Sequence, residues 1–204
     1  GGDPATGGAV DAAAVAKHFP GHGDTATDSH LALPVLNFDR DRLDQVELAP
    51  FRALAHNMSL MMTAHILFPD LDAKLPATLS PTLIEGLLRG ACGFDGLIVS
   101  DDLEMRGVAD AFDPAECARL GLMAGVDLFL VCRREEMLDE AVEAVAKALR
   151  DGGTLATRAM AAVAAVRWLR SRLARPRQAA ATVLATVASQ AAVSLRNHPG
   201  LGTV

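Results

Sequence analysis

The run 94–102, Phe-Asp-Gly-Leu-Ile-Val-Ser-Asp-Asp, constrains the fold more than any other stretch. Residues 94–100 read as a strand that is apolar on both faces, and they end abruptly in two carboxylates, Asp101 and Asp102. A strand of that kind suits a parallel sheet buried under helices, because a sheet with one wet face alternates apolar and polar residues. The three other strand candidates, 12–19, 58–68 and 126–132, are also short and mostly apolar.

Between them lie helix patterns. Residues 41–57 carry apolar side chains at a spacing nearer 3.6 than 2. Ser80-Pro81 reads as a cap followed by proline at the first helical position, opening a helix that runs to Cys92 and stops at Gly93. Residues 114–124 form a helix closed by Gly125, and 135–150 one closed by Gly152-Gly153. Residues 157–174 form another, with Trp168 expected on the core; Pro176 breaks it, and 179–196 read as a last Ala-rich helix. Residues 1–8 are an irregular Gly/Pro-rich lead-in. Strands and helices alternating with short connections give an α/β fold.

Polar residues gather where strands end: Lys17 and His18 after the first, His65 late in the second, Asp101 and Asp102 after the third. A (β/α)8 barrel keeps its catalytic groups at that end of its strands. Only four strands are counted in the 204 residues, and half a barrel exposes two sheet edges. Self-association, or a longer parent chain, is expected to cover them. The chain opens on Gly1-Gly2-Asp3-Pro4 without Met, so the natural start is expected upstream.

The loop after the first strand, residues 17–30, holds three of the six histidines, two aspartates, two glycines and a proline. Gly21 and Gly23 are expected to take backbone angles that other residues resist, and His22 and Asp24 to hold the loop's shape. The net charge of −6 argues against a nucleic-acid partner, which needs a cationic face. No apolar run is long enough to cross a bilayer. Cys92, Cys117 and Cys132 lack a zinc-like spacing and read as buried free thiols.

Lys17-His18-Phe19-Pro20-Gly21-His22-Gly23-Asp24-Thr25, Asp28-Ser29-His30 and Leu33-Pro34 resemble the signature loop of bacterial β-N-acetylglucosaminidases of glycoside hydrolase family 3. Leu48-Ala49-Pro50-Phe51-Arg52, Met62-Thr63-Ala64-His65, Pro76-Ala77-Thr78-Leu79-Ser80 and the run from Gly93 to Leu103 follow in the family's order. The resemblance implies the C-terminal half, about strands 5–8, of a TIM (β/α)8 barrel over residues 1–175, with 176–204 a helical linker toward an absent second α/β domain.

The resemblance also implies the chemistry. Asp101 is the expected nucleophile, and His30 paired with Asp28 the acid/base. Spacing i, i+2 sets those two side chains on one side of an extended segment, and a histidine titrates near ~6.5 unperturbed. Lys17 and His18 are expected to bind sugar hydroxyls, with His65 and Met105 also lining the substrate site; Asp102 is expected to cap the next helix. The implied substrates are N-acetylglucosaminides, muropeptides among them, with no cofactor and no metal. Hydrolysis and transfer to phosphate both stay open, as does residence inside or outside the cell. Two rivals stand beside this reading. His18, His22, Asp24, Asp28 and His30 are residue types that ligate metals, as in a metal-dependent hydrolase. Alternatively, the chain is an inactive half-barrel.

Overall fold

The computed structural model describes residues 13–22, 25, 29 and 31–173. The expected lead-in 1–8, the linker 176–204 with its helix, and the loop residues Gly23, Asp24, Asp28 and His30 lie outside the described residues. Residues 13–168 pack as one unit. Of the second unit, Gly1–Ala12 with Leu169–Val204, only the end of the last helix is described.

Four strands, β1 (Val15–Phe19), β2 (Leu60–Thr63), β3 (Leu97–Asp102) and β4 (Leu128–Leu130), make one sheet in the order β1-β2-β3-β4. Every neighbouring pair is parallel. Each connection carries helix: α1 (Arg40–Arg42), α2 (Leu43–Glu47) and α3 (Ala49–Leu54), then α4 (Thr82–Ala91), then α5 (Arg106–Ala109) and α6 (Pro114–Ala124). Two long helices, α7 (Glu135–Asp151) and α8 (Gly153–Leu173), follow β4. This is the α/β arrangement that the sequence pattern predicts.

The core lies between the sheet and the helices. Phe19, Met61 and Ile98 point outward from successive strands and meet Phe51 of α3 and Leu83, Ile84, Leu87 and Leu88 of α4. Phe19 and Phe51 pack edge to face with ring centroids 5.3 Å apart. The helix ends obey their caps. Asp113 accepts from Glu116 N–H at 2.6 Å with Pro114 at the first position of α6, and Gly125 closes that helix at φ 115°. Ser80 accepts from Leu83 N–H and donates to Asp72, which fixes the start of α4. The turns of α4 are wide: Cys92 N–H closes on Leu87 C=O, five residues back.

Several expectations are corrected. β2 ends at Thr63, not at Phe68. Beyond Thr63 the chain finds its partners in the loop: Leu67 N–H donates to Pro34 C=O and Leu36 N–H to Leu67 C=O, both at 2.9 Å. Its apolar residues are buried there, so the apolar run outlasts the strand. β3 starts at Leu97 and includes both carboxylates. Trp168 is 56% exposed, not docked on the core, because α8 packs through the small residues Ala156, Ala159 and Ala162. Cys132 is exposed, since the chain leaves the sheet at Leu130; Cys92 and Cys117 are buried free thiols.

Candidate active site

The sheet order brings the C-terminal ends of β1, β2 and β3 side by side. Asp101, near the end of β3, reaches across β2 toward β1: its Oδ2 lies 3.6 Å from His18 Nε2. Its other oxygen accepts from Asp102 N–H at 2.9 Å. Both side chains keep some access to water, 18% for Asp101 and 29% for His18. Burial pushes His18 below the ordinary histidine value, against the pull of the Asp101 charge. The ring is therefore mainly neutral at pH 7, a hydrogen-bonding group and not a fixed cation. Lys17, its neighbour on β1, is exposed. Lys17 and His18 also line an open cavity of about 730 Å³ beside β1, with Gly21, His22, Arg42 and Glu47.

Asp102 turns the chain and does not cap the next helix. Its Oδ1 accepts from Glu104 N–H at 3.1 Å, and its C=O accepts from Met105 N–H at 3.0 Å. Met105 itself supplies the N-cap residue of α5 and is buried.

His65 is completely buried. Its Nε2 lies 3.1 Å from Asp102 C=O and its Nδ1 2.9 Å from Thr78 Oγ1. A carbonyl oxygen only accepts, so the proton is assigned to Nε2 from its partner. Burial pushes the ring below the ordinary value, although Asp101 and the Asp102 backbone pull upward. In the neutral ring Nδ1 is an acceptor, and the single proton of the Thr78 hydroxyl is shared between it and Ala64 C=O, 3.0 Å away. Thr78 Oγ1 in turn accepts from Thr63 Oγ1–H at 2.9 Å. A buried chain of hydroxyl, hydroxyl and imidazole thus holds the backbone beside Asp101. Both His65 nitrogens are engaged by the protein, so the ring holds the backbone beside Asp101. Thr63 and Thr78 were not singled out from the sequence; the available signal was a hydroxyl inside each of two apolar runs.

The loop after β1 is tied down at two described points. Gly21 sits at φ 146°, and a Cβ there would lie 2.9 Å from the Glu47 side chain on α2, so glycine is required by angle and by space. His22 holds the loop's shape: its Nε2 lies 3.0 Å from Ser29 Oγ and its Nδ1 3.0 Å from Thr25 Oγ1. Ser29 is buried, and its C=O accepts from Gly107 N–H at 3.0 Å. The expected acid/base residues, Asp28 and His30, lie outside the described residues, as does Asp24 of the metal reading. Among the described residues no three His, Cys, Asp or Glu side chains are grouped to hold a metal ion.

The comparisons with known proteins agree with one another. The family model described as "Glycosyl hydrolase family 3 N terminal domain" matches residues 6–169. The chain is 43% identical over 140 residues to the beta-hexosaminidase of Neisseria gonorrhoeae (strain NCCP11945), covering 68% of this chain and 36% of that protein. It is 45% identical over 140 residues to the beta-hexosaminidase of Alkalilimnicola ehrlichii, of which it covers 39%. Among solved structures it is similar to a glycoside hydrolase family 3 beta-N-acetylglucosaminidase from a Paenibacillus species. That likeness has a TM-score of 0.76 at 46% identity, over 80% of this chain and 32% of the other. The chain thus spans a little over a third of the length of the curated relatives it matches.

Proposed function

The chain belongs to glycosyl hydrolase family 3, and from that membership we propose that it is part of a retaining exo-β-N-acetylglucosaminidase. The names of its relatives, beta-hexosaminidase and beta-N-acetylglucosaminidase, support the sugar class; the proposal adds that the sugar is a terminal non-reducing β-N-acetylglucosamine, with peptidoglycan fragments among the substrates. The four parallel strands form the second half of the (β/α)8 barrel, which 1–175 contribute to, with 176–204 leading toward a second domain. The open edges of β1 and β4 are covered by the rest of such a barrel or by self-association.

One observation carries this reading. A carboxylate at the C-terminal end of β3 stands 3.6 Å from an imidazole at the end of β1, at the mouth where a barrel does its chemistry. Asp101 attacks the anomeric carbon as the glycosidic C–O bond breaks. The imidazolium of His30, oriented and favoured in its charged form by Asp28, gives its proton to the departing oxygen. The result is a glycosyl ester of Asp101. Neutral His30 then takes a proton from water, the water oxygen attacks the same carbon, and the Asp101 carboxylate is released. His18 and Lys17 bind sugar hydroxyls, and Met105 packs beside the nucleophile.

A fluorinated N-acetylglucosamine analogue that forms the ester quickly and loses it slowly tests the assignment. Mass spectrometry of the labelled full-length protein is expected to find the sugar on Asp101. A label on Asp102, or none, overturns the assignment. Running the turnover assay in phosphate, with the product analysed for sugar phosphate, separates hydrolysis from phosphorolysis.

A further inference from the structure

The two halves of this apparatus lie far apart in sequence, and one contact between described residues joins them. Ser29, the residue between Asp28 and His30, is only 3% exposed. Its carbonyl accepts from Gly107 N–H at 3.0 Å, and its hydroxyl lies 3.0 Å from His22 Nε2. Gly107 follows Asp101 and Asp102 on the same segment, in the short helix α5.

Gly107 is buried, and its φ is outside the left-handed region, so the backbone conformation does not call for glycine. In a helix glycine is less favourable than alanine. Something else must account for it, and the surroundings do. A Cβ at position 107 would lie 3.0 Å from Ser29 C=O, 3.3 Å from Ala32 C=O and 3.5 Å from His65 Cβ. Two of those neighbours are backbone oxygens of the loop, which cannot swing aside as a flexible side-chain end can. The third is the histidine that holds the Asp102 carbonyl.

We propose that Gly107 is a positioning residue: by lacking a side chain it lets the loop backbone at Ser29 dock on the segment that carries Asp101. The Gly107–Ser29 hydrogen bond, with the His22–Ser29 bond behind it, then fixes the acid/base loop relative to the nucleophile. The inference rests on the reading of Asp28 and His30 as the acid/base pair. Gly107 and Ser29 need not touch the sugar; they set where the proton donor sits.

The test uses Gly107→Ala and Ser29→Ala in the full-length protein, with His30→Ala as reference and a series of aryl N-acetyl-β-glucosaminides. Glycosides with poor leaving groups need the proton, and those with dinitrophenolate hardly do. Gly107→Ala is expected to lower kcat/KM for the poorest leaving groups by about tenfold or more, with little change for the best. The dependence on leaving-group pKa steepens toward that of His30→Ala. Ser29→Ala, which keeps the carbonyl and loses the bond to His22, shifts the same way by less. A general loss of folded protein would lower all substrates alike and would not change that slope.

A folded Gly107→Ala protein with the unaltered slope overturns the proposal. If Gly107→Ala does not fold, Ser29→Ala decides by the same criterion. If His30→Ala itself leaves the slope unchanged, the acid/base reading fails and the clamp fails with it. A steep His30→Ala beside a flat Gly107→Ala removes the clamp alone.

Discussion

Each end of the sheet has a carboxylate at its centre, and the two are used in opposite ways. At the C-terminal end, Asp101 accepts one hydrogen bond from the next residue's N–H and faces His18 at 3.6 Å. At the other end, just before β4, Asp127 is held by three donors. One oxygen takes Arg158 at 2.7 Å; the other takes Ile98 N–H at 2.9 Å and faces Arg89 at 3.4 Å. The arginines are themselves spread over carbonyls: Arg89 donates to Phe94 and Gly96, Arg158 to Gly125 and Val126. A carboxylate enclosed by donors and cations ties chain segments together and has little capacity left for chemistry. One with few donors at a strand end keeps an oxygen for a reacting carbon. On the proposed function, this contrast, more than the presence of an acid, separates the proposed nucleophile from a structural carboxylate.

Paired substitutions break this contrast most sharply. Asp101→Asn in the full-length protein is expected to reduce kcat on the order of 10⁴-fold or more, the scale of losing a covalent nucleophile. Its thermal stability should barely move, because the asparagine oxygen can accept the same Asp102 N–H. Asp127→Asn is expected to do the reverse. It leaves two arginines facing a neutral amide, at a cost of about 2–4 kcal/mol. That falls short of the fully buried case because the arginine side chains are still 24% and 23% exposed. Activity per folded molecule should persist. Denaturant titration beside an active-site count checks both; equal stability losses would erase the distinction between the two ends.

The next effect concerns the buried hydroxyl chain at the active end. Thr78→Val keeps the shape but removes the donor to His65 Nδ1 and the acceptor for Thr63. Leaving those groups unpaired is expected to cost about 1–3 kcal/mol. His65 also predicts a pH dependence. Its folded value is depressed by burial, so below its ordinary 6.5 the unfolded chain binds a proton that the folded ring refuses. Its contribution to stability is complete above about 6.5. It falls as pH drops below that point and levels off once the folded ring is protonated too. His18 acts in the same direction and, being only partly buried, more weakly. Denaturation midpoints between pH 8 and pH 5 in the parent and in His65→Gln check this. A His65→Gln curve as steep as the parent's would put the acid sensitivity elsewhere.

The sequence made one kind of feature legible and hid another. Helix α6 was readable to the residue because Asp113, Pro114 and Gly125 each act locally on the backbone. The change from apolar to acidic residues near the end of β3 was readable because polarity changes abruptly at Ser100 and Asp101, although the strand runs on to Asp102. The end of β2 was not, since residues 64–68 are as buried in their loop as a strand would be, and burial is what an apolar run reports. Trp168 and Cys132 were misjudged for the converse reason: residue type gives a tendency to be inside, and local geometry decides. The roles of Thr63, Thr78, Ser29 and Gly107 depend on contacts between distant segments, and no spacing rule carries those.

The smallest expected effect sharpens the comparison through the thiols. Burial and the neighbouring Asp113 and Glu116 push Cys117 up to about 12, and burial also raises Cys92, so neither is a ready nucleophile. Cys132 is exposed. Its thiol is also raised, by desolvation and by its hydrogen bond to the Asp102 carboxylate. A maleimide at pH 8 is therefore expected to modify one cysteine in the native protein, Cys132, and more slowly than a free thiol. Asp102→Asn removes the charge and leaves only a neutral amide acceptor, so it lowers the thiol's pKa and should speed that modification severalfold. Asp127→Asn, acting at the opposite end of the sheet, should leave the rate of the folded protein alone. If both substitutions accelerate labelling equally, the thiol is reporting general loosening, and the carboxylates at the two ends are not as separate in function as their hydrogen bonds make them.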